Sequence, residues 1–157
     1  MYIFNIVKKN TATSRDGDSI KLKSLFHRCE YITVAGTPAV IRCMIFVDTQ
    51  NNGALPAVTD VLQTASRLSP LNMVNSKRFI VLQDELFDMN IYQTTTGMYR
   101  TMKFFKKLDF HTKYRDGTSS VTGANTNAIF CLYISNISAG ATAPSVSFTN
   151  RIRFMDN

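Results

Sequence analysis

Apolar and polar residues alternate along most of this chain. In Met98–Tyr114, Met102, Phe104, Leu108, Phe110, Thr112 and Tyr114 fall on one side, and Lys103, Lys107, Asp109, His111 and Lys113 on the other. Only Phe105 and Lys106 break the pattern. A period of two is the mark of a strand with one buried face. The last strand repeats it, with Val146, Phe148, Ile152 and Phe154 set against Ser147, Thr149, Arg151 and Arg153. Ser19–Val34 begins the same way, with Ile20, Leu22 and Phe26 between Lys21, Lys23 and Ser24, then loses strict alternation. That loss predicts a bulge near Phe26–Arg28. Val40–Asp48 is almost continuously apolar, with Arg42 the one charge before its end. It is too short for a core helix and suits a central strand buried on both faces. Phe79–Met89 and Ala128–Ile134 are further apolar strands. Tyr2–Val7 and Ser120–Thr122 are short candidates.

The connections carry turn chemistry. Asp-Gly pairs mark turns at Asp16-Gly17 and Asp116-Gly117, and Gly36-Thr37-Pro38 ends the first long strand. Tyr92–Gly97 reads as a turn, and Thr118–Asn127 and Asn136–Pro144 as loops. The longest connection is the polar corner that follows Asp48. Asn51-Asn52-Gly53 supplies residues that tolerate positive φ. Pro56 can open a helix, and Val58, Val61, Leu62 and Ala65 then share one face. One short helix is expected within Pro56–Ala65. About eight strands with so little helix predict an all-β, antiparallel sandwich. No linker, repeat or low-complexity tract divides the 157 residues, so a single domain over 1–157 is expected, large enough to bury a substantial core.

Charge narrows the range of partners. The formal net charge is +7 and the pI about 9.5, which points to a polyanion, nucleic acid before acidic membrane. Same-side cations on neighbouring strands would neutralise phosphates without reading bases. The candidates are Lys8, Lys9, Arg15, Lys21, Lys23, Lys103, Lys106 and Lys107; Lys113 shares the face of Lys103 and Lys107, and Arg151 and Arg153 share a face of another strand. Tyr99, Phe105 and Tyr114 lie among them and could stack on unpaired bases, although strand aromatics more often belong to a core.

Catalytic chemistry has little support. His27 and His111 are the only histidines, and neither has a nucleophile motif or metal-binding spacing nearby. Both read as structural or surface side chains. Asp84, Glu85 and Asp88 cluster on one strand. They suit a solvated or salt-bridged edge better than a calcium site, because no loop supplies the remaining oxygens. Cys29, Cys43 and Cys131 are an odd number of widely separated thiols, without the spacing of a zinc site or a disulfide framework. They are expected to be reduced core residues, which suits intracellular assembly. No cofactor is expected. The N-terminus lacks signal-peptide character, and no apolar run is long enough to span a bilayer, so no membrane insertion is expected.

Five segments in order resemble single-jelly-roll coat proteins of small circular single-stranded DNA viruses that encode a rolling-circle replication protein, and the similar coats of satellite plant viruses. They are Ser19–Leu25, Val40–Gly53, Pro56–Asp60 with Pro70–Asn72, Arg78–Asp84 and Arg151–Asp156. The resemblance implies an eight-stranded jelly roll of two four-stranded sheets. It also implies a virion subunit that assembles into a small icosahedral T=1 shell, of about sixty copies if closed symmetry satisfies every interface. The partners it implies are the chain itself and a single-stranded genome, DNA by the first resemblance with RNA as the other option. Any receptor or host glycan stays open, and assembly would take place in the nucleus or cytoplasm. Such coats open with an arm dense in Arg and Lys, which this sequence does not show at its start. Leu55, Val58, Leu68, Leu71 and Met73 exceed what a short helix can hide, so they are expected to form subunit contacts. A soluble carbohydrate-binding jelly roll is the alternative, but the aromatic platform usual for sugars is Trp, and the chain has none. A metal-dependent jelly-roll enzyme would need a histidine cluster.

Overall fold

The computed structural model describes residues 17–51, 53–89, 97–115, 123–137, 140 and 142–156. Seven strands lie among the described residues: β1 (Ser19–Ile32), β2 (Ala39–Asp48), β3 (Phe79–Met89), β4 (Tyr99–Tyr114), β5 (Ala124–Thr126), β6 (Ala128–Ser135) and β7 (Ser145–Asp156). They form two antiparallel sheets, ordered β5-β4-β1-β7 and β3-β2-β6. The chain changes sheet between β1 and β2, between β3 and β4, and again on either side of β6. Only β2 and β3, joined by the long corner, and the β4–β5 pair stay within one sheet. The fold is therefore an antiparallel sandwich of the jelly-roll kind, as the alternation predicts, but the described residues form sheets of four and three strands where two of four are expected.

The core lies between the sheets. Ile20, Leu22, Leu25, Cys29 and Tyr31 of β1 face Ile41, Cys43 and Ile45 of β2 and Ile129 and Cys131 of β6, all almost fully buried. β2 is buried without interruption from Cys43 to Asp48. Its second face is covered in part by the corner, whose Val61 and Leu62 join the same core.

Several expectations need correction. The register shift in β1 falls between Leu22 and Ser24, not at Phe26–Arg28, and it occurs against both β4 and β7. The helix is a single turn, α1 (Val58–Val61). Leu62 is already extended and pairs with Leu71, and Ala65 is exposed. The loop expected at Thr118–Asn127 contains β5. Tyr2–Val7 and Ser120–Thr122 lie outside the described residues.

Candidate nucleic-acid face and assembly corner

Cross-strand partners share a face of a sheet, so the register of β1 with β4 and β7 composes one surface from three separate stretches of sequence. Ser24, Phe26 and Arg28 of β1 pair with Lys107, Phe105 and Lys103 of β4. The same three residues pair on the other side with Arg153, Arg151 and Thr149 of β7. Further along β1, Lys21 pairs with His111, and Ser19 with Lys113. The outer face of the four-stranded sheet therefore gathers Lys21, Lys23, Arg28, Lys103, Lys107, Lys113, Arg151 and Arg153. Its carboxylates are Glu30 and Asp109. A shallow groove crosses it, lined by Ser24, Phe26, Phe105, Thr149, Arg151 and Arg153.

Asp109 occupies part of this field. Its carboxylate lies 2.8 Å from Lys21 Nζ and 3.7 Å from Lys23 Nζ. The hydrogen bond from Lys21, reinforced by the charges of both lysines, holds the Asp109 carboxyl below the usual carboxylate range. Lys103 and Lys107 stand exposed on the same face as expected, with Phe105 exposed between them. Lys106 is also exposed but pairs with Leu25, which puts it on the opposite side of the sheet by alternation. Lys8, Lys9 and Arg15 lie outside the described residues. The sequence reading leaves out Arg28, because the misplaced bulge obscures its parity. It also keeps Arg151 and Arg153 apart from the lysines, since the adjacency of β7 and β1 is a property of topology rather than of local pattern. Of the aromatics considered for stacking, Tyr99 and Phe105 are exposed and Tyr114 is buried.

Two arginines tie down the corner between β2 and β3, Arg78 across its ends and Arg42 at its middle. Arg78 donates to both carboxylate oxygens of buried Asp48, at 2.9 and 2.7 Å. Arg42 donates to Asp84 at 2.8 and 2.7 Å, and also to the carbonyls of Arg67 and Ser69 at 3.1 and 2.6 Å. These charge-assisted bonds raise the pKa of each guanidinium. Within the corner, Asn51 Oδ1 accepts from the Gly53 amide at 3.2 Å, and Gly53 takes a φ of 79°. Asp60 accepts from the Ala57 amide at the start of α1. Asn72 accepts from the Val74 amide and donates to the Thr59 carbonyl. A connection this heavily hydrogen-bonded holds the backbone that carries its apolar side chains. Leu55, Leu68 and Met73 are more than half exposed there, Leu71 less so. Val58 is half-buried and packs against the subunit's own core. Of the acidic trio, Asp84 is engaged by Arg42 on the strand edge. His111 is exposed with Ser19 Oγ 3.5 Å from its Nδ1, and His27 is fully buried.

A family model described as satellite tobacco necrosis virus coat protein matches residues 3–157. The chain belongs to the satellite tobacco necrosis virus coat protein family. It is 28% identical over 155 residues to the coat protein of Maize white line mosaic Satellite virus, covering 96% of this chain and 69% of that protein. It is 34% identical over 141 residues to the coat protein of Satellite tobacco necrosis virus 2, covering 87% and 68%. To the capsid protein of Satellite tobacco necrosis virus 1 it is 28% identical over 139 residues, covering 86% and 67%. These relatives place the coat protein on the satellite-virus side of the resemblance and lend no support to the circular single-stranded DNA side. Its role is that of a structural virion component and not an enzyme.

Proposed function

We propose that this coat protein closes into a small icosahedral shell around a single-stranded genome, with the outer face of its four-stranded sheet turned toward the nucleic acid. The observation that carries this reading is the union of basic residues from β1, β4 and β7 on one surface, with Phe26 and Phe105 between them. Such a surface binds through phosphate neutralisation and counterion release, which is tolerant of sequence and weakened by salt. Because it contacts backbone and stacking surfaces, it would hold RNA and DNA by the same means. Among the described residues the smaller sheet has three strands, and one more would bring the jelly roll to eight.

The test is to replace Lys103, Arg151 and Arg153 together with Ala. All three are exposed, so particles should still form, and the nucleic acid purified with them should fall, lowering the 260/280 absorbance ratio. Intact particles with an unchanged ratio would overturn the assignment of this face to the genome.

A further inference from the structure

The widely separated cysteines meet in the core. Cys43 Sγ on β2 lies 3.7 Å from Cys131 Sγ on β6. Ligand atoms of His27, Cys43 and Cys131 all fall within 4.8 Å of one another, and all three residues are buried. His27 comes from β1 in the opposite sheet. Donors from both halves of the sandwich therefore converge on one point. We propose that His27, Cys43 and Cys131 form a binding site for a thiophilic d10 cation, zinc being the reference ion.

Three observations support the site. The first is the sulfur spacing. A tetrahedral zinc with Zn–S bonds of about 2.3 Å separates its sulfurs by roughly 3.8 Å, close to the distance between Cys43 and Cys131. The second is the histidine. Its Nδ1 lies 2.5 Å from Asn150 Oδ1, an acceptor only, so Nδ1 carries the proton. That fixes the tautomer with the Nε2 lone pair directed across to the other sheet, where Tyr133 Oη lies 3.0 Å away. Metal-binding histidines are commonly oriented in this way by a carbonyl on the other nitrogen. On binding, Tyr133 gives up this contact to the ion. The third is charge. A divalent cation with two thiolates and one neutral imidazole sums to zero, which suits a site with no access to water. The step involves no redox change: the Cys43 and Cys131 thiols each release a proton to solvent as the metal–sulfur bonds form. The enclosed position means that the ion enters before the sheets close, so loading is coupled to folding. The bound ion would join β1 to β2 and β6, tying the two sheets together inside each subunit.

The test uses the full chain produced with and without added zinc under reducing conditions. Metal content is measured by mass spectrometry after exhaustive dialysis against a chelator. The expected result is about one zinc per chain, retained by the folded protein and released on unfolding in guanidinium. Refolding with cobalt should give sulfur-to-cobalt charge-transfer absorption that Cys43→Ala abolishes and Lys113→Ala leaves intact. Should Cys43→Ala fail to fold, His27→Gln serves as the second variant, with a weakened and shifted cobalt spectrum expected. Folded wild-type protein that holds no zinc after zinc-replete production would overturn the proposal. So would a Cys43–Cys131 disulfide found by mass mapping of the same material.

Discussion

Asp109 is a single carboxylate in a field of cations, and it ties up the two lysines nearest the start of β1. The Asp109→Asn substitution should release both to phosphate. Affinity for a single-stranded oligonucleotide should rise, and the salt dependence should steepen by about 0.7 in log–log slope for each lysine recruited, as measured by fluorescence anisotropy against salt. Since Asp109 titrates below the usual range, protonation should mimic the substitution only in acid. The alternation in β4 makes Lys103, Lys107 and Asp109 legible as face-mates from sequence alone. That Asp109 pairs with Lys21 and Lys23 is not legible, because it depends on the cross-strand register. The thiols allow a second prediction at this scale. The hydrogen bond with Cys43, followed by burial, pushes Cys29 from 9.0 up to about 12. The hydrogen bond with Cys131, with burial adding to it, pushes Cys43 up to about 12. Both folded pKa values lie above the unfolded ones, so their contribution is complete below pH 9 and is lost as pH rises toward 12. In the metal-free protein, stability should fall across that window by up to roughly 1.4 kcal/mol per pH unit per thiol. Replacing Cys29 with Ala should flatten the slope of urea-unfolding free energy against pH. A slope that matches wild type would show that Cys29 does not titrate this way.

The elements show where local pattern suffices and where it does not. β2 is recognisable because it is apolar on both faces, and the structure buries it on both. The bulge in β1 is harder to place: Lys21 and Lys23 both lie on the outer face, so alternation looks unbroken across the true shift and seems to fail only further on. The helix in the corner is overestimated for a related reason. Val58, Val61 and Leu62 satisfy helical spacing, but after one turn the Leu62 backbone pairs with Leu71 instead. Long-range pairing overrides local propensity there. The ends of the corner depend on the ion pair of Arg78 with buried Asp48, which no periodicity reveals. Asp48 is fully buried and also accepts from the Gln50 amide. Removing its partner leaves an uncompensated carboxylate, so Arg78→Ala should cost about 3 kcal/mol, seen as a lower urea midpoint at unchanged m-value. Asp48→Asn/Arg78→Ala together should recover part of that loss, because no charge is then stranded in the core. A double variant no more stable than Arg78→Ala would mean that the loss reflects packing and not charge.

At the scale of the whole molecule, the two sheets have different outer surfaces. The four-stranded sheet presents cations. The three-stranded sheet carries Arg42 paired with Asp84, a half-exposed Leu86, and the corner with its apolar side chains. A subunit polarised in this way can meet a polyanion with one surface and its neighbours with another, as the proposed shell requires. Within the corner, the exposed positions separate assembly from folding better than the half-buried ones. Leu71 is 38% exposed and its backbone pairs with Leu62, so a charge there would disturb the corner itself. Leu68 and Met73 are 69% and 71% exposed, and substitutions at such positions usually change stability by less than about 0.5 kcal/mol. Leu68→Ser/Met73→Ser should therefore leave the circular-dichroism spectrum and urea midpoint of the subunit near wild type. It should at the same time shift the size-exclusion profile from particles to small species, because apolar area that would have been covered between subunits is gone. Wild-type yields of intact particles from this variant would remove the corner from the subunit contacts. The exposed Leu86 of the three-stranded sheet would then be the next position to test.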